Sequence, residues 1–187
     1  MVVLKGLPNS SHGREPVVRI RSTRNDPGGV PQSSSRAILM STYTQILYHI
    51  IFSNRGREPI LVAAGREAMF RYIWGLIRSR ESYLYRINGV VDHVHILTSL
   101  HPSWSLADFV KELKVGSSQW IKRNAVFAGF SGWQAGYAAF THSKQDKERL
   151  LQYIKRQEQH HKKISFADEL RTLLIEASVE FDDKCLL

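Results

Sequence analysis

Two histidines one residue apart, His93 and His95, lie inside the apolar stretch GVVDHVHILTSL, Gly89 to Leu100. A strand points residues i and i+2 the same way, so both imidazoles share a face with Val91 and Leu97. Asp92, Val94, Ile96 and Thr98 take the opposite face. Neutral imidazole nitrogen is a good borderline ligand, and a same-facing pair is a common way to hold a divalent cation. The other reading is a pair of strand histidines satisfied by hydrogen bonds, because a buried polar group is costly unless it is paired. Asp92 is a poor direct ligand on a regular strand and suits a turn or edge contact.

A second group falls later in the chain, in LLQYIKRQ. Helical spacing puts Tyr153 and Gln157 one turn apart, about 40° around the axis. Leu150 and Ile154 lie beside them, so this face packs on the body and the Tyr153 hydroxyl can reach a cleft. Either residue also fits a bland role, Tyr153 as an amphipathic packing residue and Gln157 as a solvated one. The Gln157 amide oxygen is a candidate third metal ligand, a hard donor of the kind Mg²⁺ and Mn²⁺ favour. His160 and His161, with Lys162 and Lys163, are cations suited to a helix C-terminus.

The elements that must position these groups follow from periodicity. Residues 43–53, YTQILYHIIFS, read as a central strand, and a helix-periodic segment begins at Leu61. YLYRIN, 83–88, is a second strand, with Asn88-Gly89 as a tight-turn signal into the histidine strand. Ser105 caps a long helix reaching residue 124, residues 125–136 are irregular, and YAAFTHS, 137–143, is a further strand. A last long helix runs from about Lys144 through KERLLQYIKRQEQHHKK, and FADELRTLLIEASV closes the chain. The order β-α-β-β-α-β with a helical C-terminal extension predicts an α+β, ferredoxin-like fold, an antiparallel sheet with helices on one side. That fold hosts many activities and identifies none of them.

Composition bounds the reading. The chain has 187 residues, 43% hydrophobic, and a formal net charge of +9. That is enough for one core, and the basic excess points to a polyanionic partner. Residues 1–39 hold four of the six prolines and read as a loosely attached basic arm, with residues 40–187 as the folded domain. The single cysteine, Cys185, excludes an intrachain disulfide, and no apolar run is long enough for a bilayer span, so a soluble cytoplasmic protein is expected. Lys111, Lys114, Lys122 and Arg123 on one helix, and Lys147, Lys155 and Arg156 on the last, are candidate phosphate contacts. Trp120, Trp133 and Tyr137 are candidates for stacking on unpaired bases, although each also suits core packing.

From YTQILYHIIFS through NGVVDHVHIL, LADFVKELKVGSS and LLQYIKRQ to the tail FADELRTLLIEASVEFDDKCLL, the chain resembles the single-tyrosine HUH transposases of the smallest bacterial insertion sequences. REP-associated tyrosine transposases are relatives of these. The resemblance implies that His93 and His95 are the metal-binding histidines, Tyr153 the nucleophile, and Gln157 the residue completing the metal site. It further implies Mg²⁺ or Mn²⁺ as cofactor and single-stranded DNA with hairpin ends as substrate, cleaved and rejoined through a 5′-phosphotyrosine. It also implies a homodimer in which each tyrosine helix completes the partner's site. Residues 1–39 lie outside the resemblance. Competing readings are a non-catalytic nucleic-acid-binding domain, an HUH nuclease of replication or plasmid transfer, and a metal-dependent hydrolase that uses water.

Overall fold

The computed structural model describes residues 43–186, so the arm expected over 1–39 lies outside the described residues. The core is a four-stranded antiparallel sheet of β1 (Leu47–Ser53), β2 (Tyr83–Gly89), β3 (His93–Ser99) and β4 (Ala138–His142), ordered β2-β3-β1-β4. Helices α1 (Ala63–Ser79) and α2 (Leu106–Arg123) supply the two crossovers. This is the expected β-α-β-β-α-β order with the strand arrangement of a ferredoxin-like core.

Strand alternation sorts the side chains. Ile50 and Phe52 of β1, with Val94 and Ile96 of β3, join Met69, Phe70, Ile73 and Ile77 of α1 and Phe109, Val110, Leu113 and Ile121 of α2 in one large core. Ser105 accepts the backbone N–H of Asp108, the N-cap bond its position calls for, and so fixes where α2 starts. Trp133 is buried in this core and donates its indole N–H to Ser117 Oγ at 2.9 Å. Gln134 N donates to Ser53 O, which ties the irregular segment before β4 to the end of β1.

The opposite face of the sheet is covered as well, by the C-terminal extension. It comprises α3 (Lys147–Lys155), α4 (Gln157–His160) and α5 (Phe166–Glu176). Leu150 and Ile154 of α3 pack on Leu47 and Leu97, while Phe166 of α5 packs on Ile51 and Phe140. The sheet is therefore buried on both sides, which is why every β3 residue from His93 to Thr98 is buried instead of alternating with solvent.

Two local expectations are corrected. Asn88-Gly89 is the end of β2 and not a turn: Asn88 pairs with His95 and Gly89 with Val94, and the chain reverses over residues 90–92. A Cβ on Gly89 would lie 2.4 Å from His93 O, so the glycine serves a close backbone approach. The last helix is not continuous either. It breaks at Arg156 (φ −94°, ψ 12°), where Asn88 Nδ2 donates to Ile154 O at 2.8 Å and to Lys155 O at 3.3 Å. An amide that takes up the terminal carbonyls substitutes for the missing helical bonds.

Candidate metal centre and tyrosine

On the face of the sheet under α3–α5, His93 and His95 point the same way and are fully buried, as the alternation requires. Each has its Nδ1 engaged. His93 Nδ1 is 2.7 Å from Asp92 Oδ1, and His95 Nδ1 is 3.0 Å from His49 Nε2 on β1. A third imidazole arrives from the turn after α4, where His161 Nδ1 lies 3.0 Å from Ile164 O. With the Nδ1 atoms occupied, the three Nε2 atoms converge on Glu169 Oε2 of α5, at 3.6 Å for His93, 3.4 Å for His95 and 3.0 Å for His161.

These four side chains form a cluster whose ligand atoms lie within 4.8 Å of one another. The Nε2 atoms of His93, His95 and His161, Glu169 Oε2 and Gln157 Oε1 are all buried without a hydrogen-bond partner. Unpaired buried polar atoms are costly, and the four ligand atoms of this cluster lie close enough together to hold one cation. Three imidazoles with one carboxylate suit a divalent metal.

Tyr153 stands at the same place. Its ring meets those of His49 and His95 edge-on, each with centroids 6.1 Å apart, and its hydroxyl donates to Glu169 Oε1. Gln157, fully buried, donates its amide to the same oxygen at 2.9 Å. The expected pairing of Tyr153 with Gln157 at one helical turn thus survives the break at Arg156. A single chain carries both residues to its own His93 and His95.

Residues 42–157 match the IS200-like transposases. The chain belongs to this family. Among curated proteins the ISDra2 transposase TnpA of Deinococcus radiodurans is 25% identical over 118 residues, covering 60% of this chain and 84% of that one. Two solved structures are similar in fold. One is a putative transposase from Deinococcus radiodurans (TM-score 0.47, 23% identity, 67% of this chain and 98% of that one). The other is a REP-associated tyrosine transposase bound to a REP hairpin (TM-score 0.48, 15% identity, 63% of this chain and 72% of that one).

Electrostatics in this IS200-like transposase follow from burial and the imidazole cluster. Burial lowers the His95 pKa to about 4, against an opposing contact with Glu169. Burial also opposes a charge on His93, but the hydrogen bond to Asp92 and the nearby Glu169 carboxylate outweigh it and raise its pKa. Burial alone would raise Glu169, yet His161, His93 and His95 hold its carboxyl far below the usual range. The Tyr153 phenol is pushed well up, first by burial and then by the Glu169 charge. A cation at the cluster would reverse that last effect.

The other candidates are dispersed. Lys111, Lys122 and Arg123 are exposed on α2, across the sheet from the histidines. Lys114 donates to Gln134 O and Gly136 O, both at 2.6 Å, and so holds the segment before β4. Lys155 and Arg156 are exposed at the end of α3, near Tyr153. Trp120 stacks on Tyr72 (4.9 Å, 13°) and Trp133 is core, which leaves Tyr137 as the exposed aromatic of the three.

Sequence reasoning missed Glu169 and treated His161 as a helix-end cation. Both lie beyond the family match. The available signal was Glu169 sharing a helical stripe with Phe166, Leu170 and Leu173, a carboxylate on a face that packs inward. Asp92, expected at a turn contact, orients His93 from that position.

Proposed function

We propose that this IS200-like transposase cleaves single-stranded DNA beside hairpin ends and rejoins it, with Tyr153 as nucleophile and a 5′-phosphotyrosine intermediate. The observation that supports this most directly is the meeting of the Tyr153 hydroxyl with a cluster of orphaned metal-ligand atoms. His93, His95, His161 and Glu169 would hold the cation, and the buried, unpaired amide oxygen of Gln157 is a candidate further ligand. The nitrogen-rich donors favour Mn²⁺ over Mg²⁺. Once bound, the metal would polarise the scissile phosphate and offset developing charge.

The protein's own groups account for the rest. Tyr153 Oη forms the new bond to phosphorus as the bond to the 3′-oxygen breaks, and that oxygen leaves as a 3′-hydroxyl after taking a proton. The phenol proton is already directed at Glu169 Oε1. The 3′-hydroxyl can later attack a phosphotyrosine and regenerate the phenol, so the energy of the phosphodiester is conserved and no external source is needed. Lys155 and Arg156 are placed to steady the strand beside Tyr153. The geometry supports a site completed in cis, in place of tyrosine helices exchanged between subunits. Glu169 on α5 is buried against the cluster.

The test is a denaturation-resistant adduct between the protein and hairpin-flanked single-stranded DNA in Mn²⁺. Wild type should form it, whereas Tyr153→Phe should not, and EDTA should abolish it. An adduct that persists in Tyr153→Phe would end this reading.

A further inference from the structure

His49 has no part in the cleavage chemistry above, yet it is fully buried and its Nδ1 has no partner among the described residues. Strand register explains its position. Ile51 pairs with His95 and His49 with Leu97, so His49 is the diagonal neighbour of His95 on the same face. The rings stack at 5.2 Å with 26° between planes, and His49 Nε2 lies 3.0 Å from His95 Nδ1. Packing alone does not call for an imidazole here. The ring sits among Phe140, Tyr153 and His95, and an apolar side chain would fill that space without leaving a nitrogen unpaired.

We infer that His49 is a positioning residue for the metal centre: it accepts the Nδ1–H of His95 and thereby keeps the His95 Nε2 lone pair on the cation. The inference rests on the metal-site reading proposed above. A ligating histidine needs its other ring N–H engaged, which fixes tautomer and orientation. Asp92 does this for His93 and the Ile164 carbonyl for His161. His49 is the third such partner, and it differs in kind. Asp92 and a carbonyl only accept, whereas an imidazole can accept or donate. Without metal, His49 can donate to His95 Nδ1 while His95 Nε2–H turns to Glu169 Oε2. With metal, the same hydrogen bond runs the other way.

The test uses two near-isosteric variants of the full chain, His49→Gln, whose amide retains an acceptor, and His49→Met, which has no comparable one. Mn²⁺ affinity is measured by calorimetry, with thermal midpoints in EDTA alongside. His49→Met should bind Mn²⁺ roughly 10–100-fold more weakly, the usual cost of losing an outer hydrogen-bond partner, and His49→Gln should stay within about threefold of wild type. Wild-type affinity in His49→Met, or equal weakening in both variants, would overturn the role. His95→Ala separates the two levels of the argument. If it too binds Mn²⁺ normally, the metal-site reading fails; if it loses binding while His49→Met does not, only the positioning role fails.

Discussion

The two faces of the sheet do different work. Beneath α1 and α2 lies one continuous apolar core in which Ile50, Phe52, Val94 and Ile96 meet helix side chains. Beneath α3–α5 the apolar contacts are split into two small clusters, around Leu97 and around Phe140. Between those clusters stand His49, His93, His95, Gln157 and Glu169, all buried. The same strands serve both faces, because alternate residues of β1 and β3 belong to opposite sides. Stability is thus concentrated on one face, while the other accepts the cost of buried polar groups to build a site.

Substitutions that separate stability from metal binding test this contrast. On the apolar face, Phe109→Ala should lose about 3–5 kcal/mol in denaturant titration, the range for truncating a large core aromatic. Chains that remain folded should keep wild-type Mn²⁺ affinity. A loss below about 1 kcal/mol would mean that the large core does not carry the fold.

Acid should act on the polar face. The folded-state pKa values of His49 and His95 lie below the ordinary 6.5, chiefly through burial, with His95 at about 4. Below pH 6.5 the unfolded chain therefore takes up protons that the folded one refuses. Stability from these two groups is present above 6.5 and is lost as pH falls toward 4. His93, shifted upward, contributes the other way, its stabilisation being present at low pH and lost as pH rises through its folded value. With His49, His95 and the likewise lowered His142 against His93, metal-free protein should lose stability between pH 7 and pH 5, read from denaturant midpoints. Flat stability across that interval would contradict the buried neutral imidazoles.

A narrower probe is Glu169→Gln, which keeps the shape but removes the charge facing four imidazoles, those of His93, His95, His160 and His161. Mn²⁺ affinity should fall at least tenfold, about 1.4 kcal/mol, while Phe166 continues to pack on β1 and β4. Unchanged affinity would remove Glu169 from the ligand set. The smallest effect lies back on the apolar face. Ser105→Ala removes the cap of α2 and should cost about 1 kcal/mol with no change in metal binding.

The two faces were also unequally legible in the sequence. The β-α-β-β-α-β order, the Ser105 cap and the shared face of His93 and His95 follow from local periodicity and chemistry, and all are present. The resemblance put Tyr153 and Gln157 at the histidines of a partner subunit, whereas here both meet Glu169 beside His93 and His95 of the same chain. What escaped notice depends on tertiary contact. Asn88-Gly89 has the composition of a hairpin turn, but the side chain of Asn88 is committed to the end of α3. That contact accompanies the break at Arg156, beyond which His161 meets Glu169. Glu169 sits in an amphipathic helix whose sequence does not reveal which layer it covers. No helix of the described residues is long and apolar enough to cross a membrane.

The central claim is that one chain completes its own site on the polar face. Mixing Tyr153→Phe chains with His95→Ala chains, each inactive alone, tests it most directly. With hairpin-flanked single-stranded DNA and Mn²⁺, the mixture should form no more covalent adduct than either variant by itself. Adduct restored in the mixture would show that tyrosine and histidines come from different subunits, and would contradict the account.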